Sequence, residues 1–483
     1  MKTLQAWFGL YRPRYASVLV YMLQNTEYRV GPYLKWYWRT QDFSKVMYRR
    51  TLDQTRVAKL LRLALLAGMG LQIILGLLLI VLWRWNDLVA GELFGLALIV
   101  SYPLVWAHLV VVPLILGREL QTRPNERRLI AESKQIFADH PGVKIAVAGS
   151  YGKTSMKELL LTVLGEGKNV AATPGNKNVA SSHAYFAKRL TGNEDVLIIE
   201  YGEGAPGDVA RFAATTQPTH GVITGLAPAH LDRYKTLEAA GKDIFSLASY
   251  LKNKHIYANG ESAALLPFAK KSKSIELYTA TGSLGWKVKD IALTPLATSF
   301  TLTKGKRSLK LTSGLLGKHQ VGPLSLAAAL ALELGLTEKQ VKNGVAKTVP
   351  YEHRMQARNV GGASVIDDTY NGNLEGIRVG TELLASLKAK RKIYVTPGLV
   401  DQGKDTKAIH QQVGKYIASA KPDLVILMKN SVTASIQKGL KTANFKGEIR
   451  VESDPLDFYT NLEHFVAAGD VVLMQNDWTD NYA

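Results

Sequence analysis

Cysteine is absent from the 483 residues of the chain. This absence excludes disulfides, thiolate zinc sites and cysteine nucleophiles from any function that the chain performs. Acidic residues are also few, 40 against 60 lysines and arginines, and the formal net charge is +20. After Leu116 the sequence has no further uncharged apolar run of the length that a membrane span needs. The chain is long enough for two or three domains with full hydrophobic cores.

The positive charge is concentrated near the N-terminus. Residues 1–62 hold twelve lysines and arginines against three acidic residues, and aromatic residues such as Trp7, Trp36 and Trp38 lie among them. Basic residues beside aromatic anchors are typical of a membrane interface, although RNA-binding segments can have a similar composition. Because an apolar run follows directly, we favour the membrane interpretation and expect no nucleic-acid partner.

Two apolar runs, residues 63–83 and residues 93–116, are long enough to cross a hydrocarbon core of about 30 Å. The second contains Pro103 and Pro113, which membrane helices tolerate as kinks. A pair of buried core helices is the alternative. Basic residues precede the first run and follow the second, so the positive-inside rule places both termini in the cytoplasm. We therefore expect a multi-pass protein of the inner membrane with its large C-terminal part in the cytoplasm.

A glycine-rich turn follows the predicted strand 143–148. The segment Gly149-Ser-Tyr-Gly-Lys-Thr-Ser155 opens a helix that is expected to continue to Leu164. Backbone N–H groups of such a turn and the positive helix end bind phosphates, so Gly149, Ser150, Gly152 and Ser155 are candidate nucleotide contacts. Lys153 is expected to contact the β- and γ-phosphates, and Thr154 to bind Mg²⁺ through its hydroxyl. The strict G-x-x-x-x-G-K-[ST] pattern is not met, because Val147 occupies its first glycine position.

Three further strands are predicted at residues 168–173, 195–201 and 219–225, separated by helices. This alternation indicates a parallel sheet covered on both faces, with ligands at the carboxyl ends of its strands. Glu200 ends one strand and His230 closely follows another, so both are candidate magnesium ligands. Taken singly, Glu200 could be a strand cap and His230 an ordinary loop residue.

These motifs together resemble the Mur ligase family of peptidoglycan synthesis. The turn Gly149–Ser155 is similar to the family's phosphate loop, and residues 173–178 (TPGNKN) to a loop of the branch that adds D-alanyl-D-alanine. Glu200 matches the family's magnesium-binding glutamate, and residues 229–232 (AHLD) its segment with a metal-binding histidine, here His230. The resemblance runs from about Val143 to near the C-terminus.

The resemblance also implies roles for less certain residues. Lys242 is the nearest candidate for the family's carbamoylated lysine, which bridges to a second magnesium ion; it is either that residue or an exposed helix lysine. Gln320 replaces the asparagine that contacts adenine. Arg354 resembles the hinge arginine near the γ-phosphate. Of two neighbouring aspartates, Asp368 is expected to contact nucleotide or substrate, and Asp367 to fix its loop.

The expected fold is an α/β protein. A two-helix membrane anchor (residues 1–125) precedes a parallel-sheet phosphate-loop ATPase domain (126–350) and a Rossmann-like C-terminal domain (351–483), and residues 286–313 are expected to form an antiparallel hairpin at the sheet's edge. The resemblance implies a ligase that uses ATP and about two Mg²⁺ ions to form an amide bond through an acyl phosphate. Two alternatives stay open: an NTPase that has lost ligase activity, and a ligase acting on a lipid-linked rather than a UDP-linked precursor.

Overall fold

The structure of the chain is a computed structural model with two compact units, residues 1–128 and residues 129–483. It describes residues 9–476 except 13, 27, 41, 44–45, 47–51, 85–88, 176, 228–230, 253, 272, 371, 400–401 and 403–404. Each unit is described separately below.

The first unit is helical. Its described α-helices are Arg14–Asn25, Val30–Arg39, Arg56–Arg84, Val89–Leu109 and Val111–Gly117, and the helix Arg123–Asp139 begins within it. The first predicted span lies wholly within Arg56–Arg84. The second is interrupted at Val110, because Pro113 has no N–H to donate to the carbonyl of Leu109. Pro103, in contrast, lies inside its helix.

The N-terminal helices of this unit pack against its apolar helices through tyrosine hydroxyls. Tyr11 donates a hydrogen bond to the carbonyl of Val100 at 2.7 Å, and Tyr15 donates to that of Pro103 at 3.1 Å. Tyr33 donates to the carbonyl of Ala107 at 3.0 Å. Polar contacts thus tie residues 11–33 to the helix that carries Pro103.

The helix Arg56–Arg84 and the one that follows it carry outward-facing apolar side chains. Leu63, Leu71 and Leu93 are each about two-thirds exposed, at 64%, 67% and 65%. Among the described residues, two helices are long and apolar enough to cross a membrane, judged by length and composition. A surface of this kind is typical of contact with lipid or with another apolar partner.

The second unit begins with a six-stranded parallel sheet of order β2-β3-β1-β4-β5-β6. Its strands are β1 (Val143–Ala148), β2 (Val170–Ala172), β3 (Val196–Glu200), β4 (His220–Ile223), β5 (Ile256–Asn259) and β6 (Ile275–Tyr278). Its described helices are Lys153–Leu164, Ala180–Ala187, Asp208–Thr216, Leu231–Tyr234, Leu237–Ile244, Ser246–Tyr250, Leu266–Ala269, Val321–Glu333 and Glu338–Ala346. One apolar core lies on each face of the sheet, which explains why β1 and β3 are apolar apart from Lys144 and Glu200.

A four-stranded sheet of order β10-β9-β8-β7 follows. Its strands are β7 (Gly282–Ser283), β8 (Trp286–Leu293), β9 (Thr298–Lys304) and β10 (Arg307–Ser313), and all its pairings are antiparallel. The expectation of antiparallel strands is confirmed, but their placement at the edge of the parallel sheet is wrong. Alternate side chains of β9 and β10 are buried: Phe300, Leu302, Leu309 and Leu311. The apolar face of this sheet therefore packs into one of the two cores that cover the parallel sheet.

The C-terminal part forms a third sheet of order β11-β12-β16-β13-β14-β15. Its strands are β11 (Gln356–Val360), β12 (Ala363–Asp368), β13 (Arg391–Thr396), β14 (Leu424–Met428), β15 (Glu448–Glu452) and β16 (Asp470–Gln475); only β11 pairs antiparallel. Its described helices are Leu374–Ser386, Thr406–Ser419, Thr433–Thr442, Pro455–Thr460 and Leu462–Phe465. The predicted α/β architecture with a Rossmann-like C-terminal layer is confirmed.

Candidate active site

The phosphate loop lies at the carboxyl end of β1, between β3 and β4. Gly149 has φ 144°, and a Cβ there would lie 2.4 Å from Thr224 Oγ1; Gly152, with φ 74°, precedes the helix Lys153–Leu164. The N–H of Ser150 donates to the carbonyl of Gly225 at 2.8 Å. Both glycines therefore have backbone conformations that other residues rarely adopt, and the loop is held against the segment that follows β4.

The side chain of Lys153 is turned into its own loop. Its ammonium donates to the carbonyl of Gly149 and forms an ion pair with Glu203, with Nζ 2.7 Å from Oε2. Both side chains are largely buried, at 11% and 4% exposed. Lys153 thus lies in the phosphate loop and pairs with a carboxylate that the sequence did not single out, and its contact with phosphates stays a prediction.

Thr154, in the first turn of the helix that follows β1, and Glu200, at the end of β3, lie side by side. The Thr154 hydroxyl donates to Glu200 Oε1 at 3.2 Å, and Asn178 donates to the same oxygen at 3.1 Å. The backbone N–H of Glu200 donates to Thr173 Oγ1 at 3.0 Å. The other carboxylate oxygen, Oε2, is buried and has no hydrogen-bond partner among the described residues. A buried carboxylate oxygen that accepts no hydrogen bond, beside a hydroxyl, is a donor set that fits Mg²⁺.

Lys157, which the sequence analysis did not identify, is also part of this cluster. Its side chain is fully buried, and its ammonium lies 3.6 Å from Glu200 Oε2 and 3.2 Å from Glu158 Oε1. It donates to the carbonyls of Thr173 and Gly175. A lysine in the middle of an amphipathic helix is usually exposed, so sequence alone gave no signal for this role.

Of the two residues predicted to bind a second metal ion, the structure describes Lys242 but not His230. Lys242 is two-thirds exposed and pairs with Glu238 one helical turn away, at 2.8 Å. The contacts recorded for Lys242 do not join it to Thr154 or Glu200, and its metal-binding role stays a prediction. His230 lies outside the described residues, and among those described there is no group of three or more histidine, aspartate and glutamate side chains placed to hold a metal ion.

Arg354 lies just before β11 and Asp368 ends β12, and the two side chains interact electrostatically. The guanidinium of Arg354 lies 4.8 Å from the ring centre of Tyr370. Asp368 accepts hydrogen bonds from the N–H of Met355 at 3.2 Å and from Gln475 Nε2 at 2.7 Å. Burial raises the pKa of Asp368 to about 6. Its carboxyl therefore connects the segment that carries Arg354 and Met355 to β16.

Two further residues that the sequence analysis named, Asp367 and Gln320, contact neighbouring side chains. Asp367 accepts from Thr369 and lies 2.8 Å from Nδ1 of His353, in agreement with its expected role in fixing the loop. Gln320, in a 3₁₀ turn, lies with its amide nitrogen 3.0 Å from His319 Nε2. Its contact with adenine stays a prediction.

Comparison with known families agrees with this geometry. Residues 147–331 match the Mur ligase middle domain, and residues 353–475 match the Mur ligase glutamate ligase domain. The chain belongs to the Mur ligase family. The two matched segments contain the phosphate loop, Glu200, Arg354 and Asp368, so the resemblance found in the sequence is confirmed.

Several relatives of this Mur ligase are UDP-N-acetylmuramoyl-tripeptide–D-alanyl-D-alanine ligases. The protein of Mycobacterium bovis is 30% identical over 282 residues, which cover 56% of this chain and 55% of that enzyme. The protein of Mycobacterium leprae is 28% identical over 363 residues, which cover 68% and 70%. The chain thus spans little more than half the length of the first of these relatives.

A solved structure confirms the fold. The MurF ligase of Thermotoga maritima in complex with ADP superposes with a TM-score of 0.61 at 21% identity, and the match covers 73% of this chain and 80% of that one. At this level of identity the comparison shows a shared fold. This shared fold is consistent with the parallel sheet and the mixed sheet found in the second unit.

Proposed function

We propose that this Mur ligase is an ATP-dependent ligase of peptidoglycan precursor synthesis that joins an amino acid or a D-alanyl-D-alanine-like dipeptide to a muramyl peptide. The observation that carries the proposal is the convergence of Lys153, Thr154 and Glu200 at the ends of β1 and β3. The mycobacterial relatives, which are UDP-N-acetylmuramoyl-tripeptide–D-alanyl-D-alanine ligases, support the choice of substrate.

The chemistry has two steps. A carboxylate oxygen of the acceptor attacks the γ-phosphorus of ATP, the bond to the β-phosphate oxygen breaks, and ADP leaves. The amine of the second substrate then attacks the acyl carbon, loses a proton and expels inorganic phosphate. The protein's part is to position the reactants and to stabilise negative charge during phosphoryl transfer.

Specific residues perform these tasks in the proposal. The backbone N–H groups from Gly149 to Ser155 bind the phosphates, and Lys153 leaves Glu203 to contact the β- and γ-phosphates. Arg354 neutralises charge on the acyl phosphate from the hinge. Thr154 and Glu200 are the residues that would hold Mg²⁺, which supplies further positive charge at the phosphates. His230 and a carbamoylated Lys242 remain the proposed ligands of a second ion.

We further propose that residues 1–128 anchor the enzyme in the cytoplasmic membrane, with two spans and both termini in the cytoplasm. The outward apolar side chains and the basic flanks support this. This unit lies outside the two matched domains, so the matches do not identify the residues that bind the carrier group of the acceptor. A lipid-linked muramyl peptide is therefore the alternative acceptor to a UDP-linked one.

The test of ligase function uses the full chain in lipid nanodiscs with ATP, Mg²⁺, a muramyl tripeptide carried by UDP or by a lipid, and D-alanyl-D-alanine. We expect phosphate release that requires both acceptor and amine, with an amide product identified by mass spectrometry. Lys153→Ala should abolish it, whereas Lys347→Ala, which alters an ion pair with Glu166, should not. Phosphate release independent of the amine would support the NTPase alternative.

The absence of cysteine makes topology directly measurable. Single cysteines introduced at Glu92 and at Lys168 should react with a membrane-impermeant maleimide from opposite sides of the membrane. Labelling of both from the same side would refute the two-span topology.

A further inference from the structure

Lys157 is a fully buried cation in the phosphate-loop helix. It lies one turn after Lys153, and its side chain has no exposed surface. It therefore cannot reach a nucleotide in the described conformation. A buried ammonium is costly unless it is paired, so its partners indicate its purpose.

Those partners belong to three separate segments. The ammonium donates to the carbonyl of Thr173 at 2.9 Å and to that of Gly175. It lies 3.2 Å from Glu158 on its own helix and 3.6 Å from Glu200 at the end of β3. Since an ammonium has three donors, its two carbonyl bonds leave one N–H directed elsewhere. Lys157 joins the phosphate-loop helix, the loop after β2 and the proposed magnesium ligand.

The distance to Glu200 is informative. At 3.6 Å the ammonium offsets the negative charge of the carboxylate but lies beyond ordinary hydrogen-bond reach of Oε2. The opposite oxygen, Oε1, is fixed by Thr154 and Asn178. The carboxylate is thus fixed by hydrogen bonds at Oε1 and by charge attraction at Oε2. The lone pairs of Oε2 accept no hydrogen bond from the described residues.

We propose that Lys157 is a positioning residue that fixes Glu200 and the Thr173–Gly175 loop against the phosphate loop, so that Oε2 is presented to the cation of a magnesium–nucleotide complex. This inference rests on the proposed nucleotide site. It assigns the lysine no contact with substrate and no part in bond formation.

Charge and position predict opposite effects when Lys157 is replaced. Removal of a nearby positive charge alone would strengthen the binding of a divalent cation. Loss of the carbonyl bonds and of the constraint on Glu200 would weaken it. Weaker binding in an uncharged variant therefore identifies positioning as the dominant role.

The experiment compares Lys157→Met, Lys157→Arg and the control Lys144→Met in the full chain. Lys144 is another buried lysine; it lies on β1 and donates to the carbonyl of His140 at 2.9 Å. Hydrogen exchange measured by mass spectrometry reports on residues 173–179 without nucleotide, and calorimetry gives the Kd of MgATP. Neither readout depends on turnover.

In Lys157→Met we expect exchange at residues 173–179 and the Kd of MgATP each to rise by at least about tenfold, the effect of losing one charged hydrogen bond. Lys157→Arg should recover part of both, and Lys144→Met should change neither. Wild-type exchange, or unchanged or tighter MgATP binding, in Lys157→Met would overturn the inference.

If Lys157→Met does not fold, Lys157→Gln, which removes the charge and shortens the side chain, replaces it, and wild-type values for both readouts would then refute the positioning role. If the unaltered chain binds no MgATP, the proposed function fails. In that case the exchange measurement still decides whether Lys157 fixes the loop.

Discussion

Replacement of Glu203 by glutamine should strengthen nucleotide binding. In the described conformation the ammonium of Lys153 is 2.7 Å from Glu203 Oε2, and both side chains are largely buried. Lys153 can contact phosphate only after this ion pair opens. Glu203 then stays behind as a buried carboxylate near a polyanion, and glutamine removes that charge while keeping nearly the same shape.

The expected size of the effect follows from the geometry. At 2.7 Å and an effective dielectric constant of about 20, the direct attraction is on the order of 6 kcal/mol, most of which is offset by desolvation of the two ions. We therefore expect a net gain of about 1.4 kcal/mol in ATP binding, a tenfold lower Kd. The nucleotide-free protein should lose about 1.5–3 kcal/mol, because a charged hydrogen bond is weakened.

Titration calorimetry and thermal unfolding measure both quantities. The unfolding midpoint of the nucleotide-free variant should fall by several degrees, since 1 kcal/mol corresponds to about 2–4 °C in domains of this size. Asp470→Asn is a matched control, because Asp470 is as buried as Glu203 and pairs with Arg391 at 2.6 Å in the C-terminal sheet. It should lower the midpoint but leave the Kd unchanged. Equal or weaker ATP binding by Glu203→Gln would refute the reasoning.

Three further substitutions test separate features of the site and the fold. Gly149→Ala places a Cβ 2.4 Å from Thr224 Oγ1, at a positive φ that alanine rarely adopts. Calorimetry should show a loss of about 1–3 kcal/mol in the free energy of unfolding, and an unchanged unfolding midpoint would contradict the backbone argument. Glu200→Gln should raise the Mg²⁺ concentration for half-maximal ATP binding about ten- to a hundredfold, and no shift would exclude Glu200 as a ligand. Burial and the neighbouring His255 lower the pKa of His220 to about 4 from 6.5, so its contribution to stability is complete above pH 6.5 and is lost as the pH falls through about 4. His220→Phe should therefore flatten the decline of the unfolding midpoint over that range, and a parallel decline would show that other groups control it.

The main features of the second unit could be predicted from the sequence because they depend on local patterns. The strand 143–148 and the helix ending at Leu164 are observed with those bounds. A mainly apolar run, a glycine turn and an amphipathic segment specify such a unit with little help from distant residues. The register of the sheet then places Val147 beside Glu200, which brings the phosphate loop and the predicted ligand together.

The unpredicted features depend on distant partners. Glu203 is fifty positions from Lys153, and Lys157 lies 43 positions before Glu200, so no local pattern connects them. The strands 286–313 have the alternation of an antiparallel hairpin, but alternation does not say against which surface the apolar face packs. The sequence therefore predicted whether an element is a helix or a strand better than it predicted which elements pack against it.

The tyrosine contacts in the first unit have a consequence for the order in which the chain assembles. Tyr11, Tyr15 and Tyr33 bind carbonyls that lie 89, 88 and 74 positions later in the sequence. During synthesis, the first forty residues cannot reach their final partners until the helix Val89–Leu109 has been made. The N-terminal segment is therefore expected to complete its folding after the apolar helices that follow it, and a chain shortened before Val100 would leave these hydroxyls without the acceptors that hold them in place.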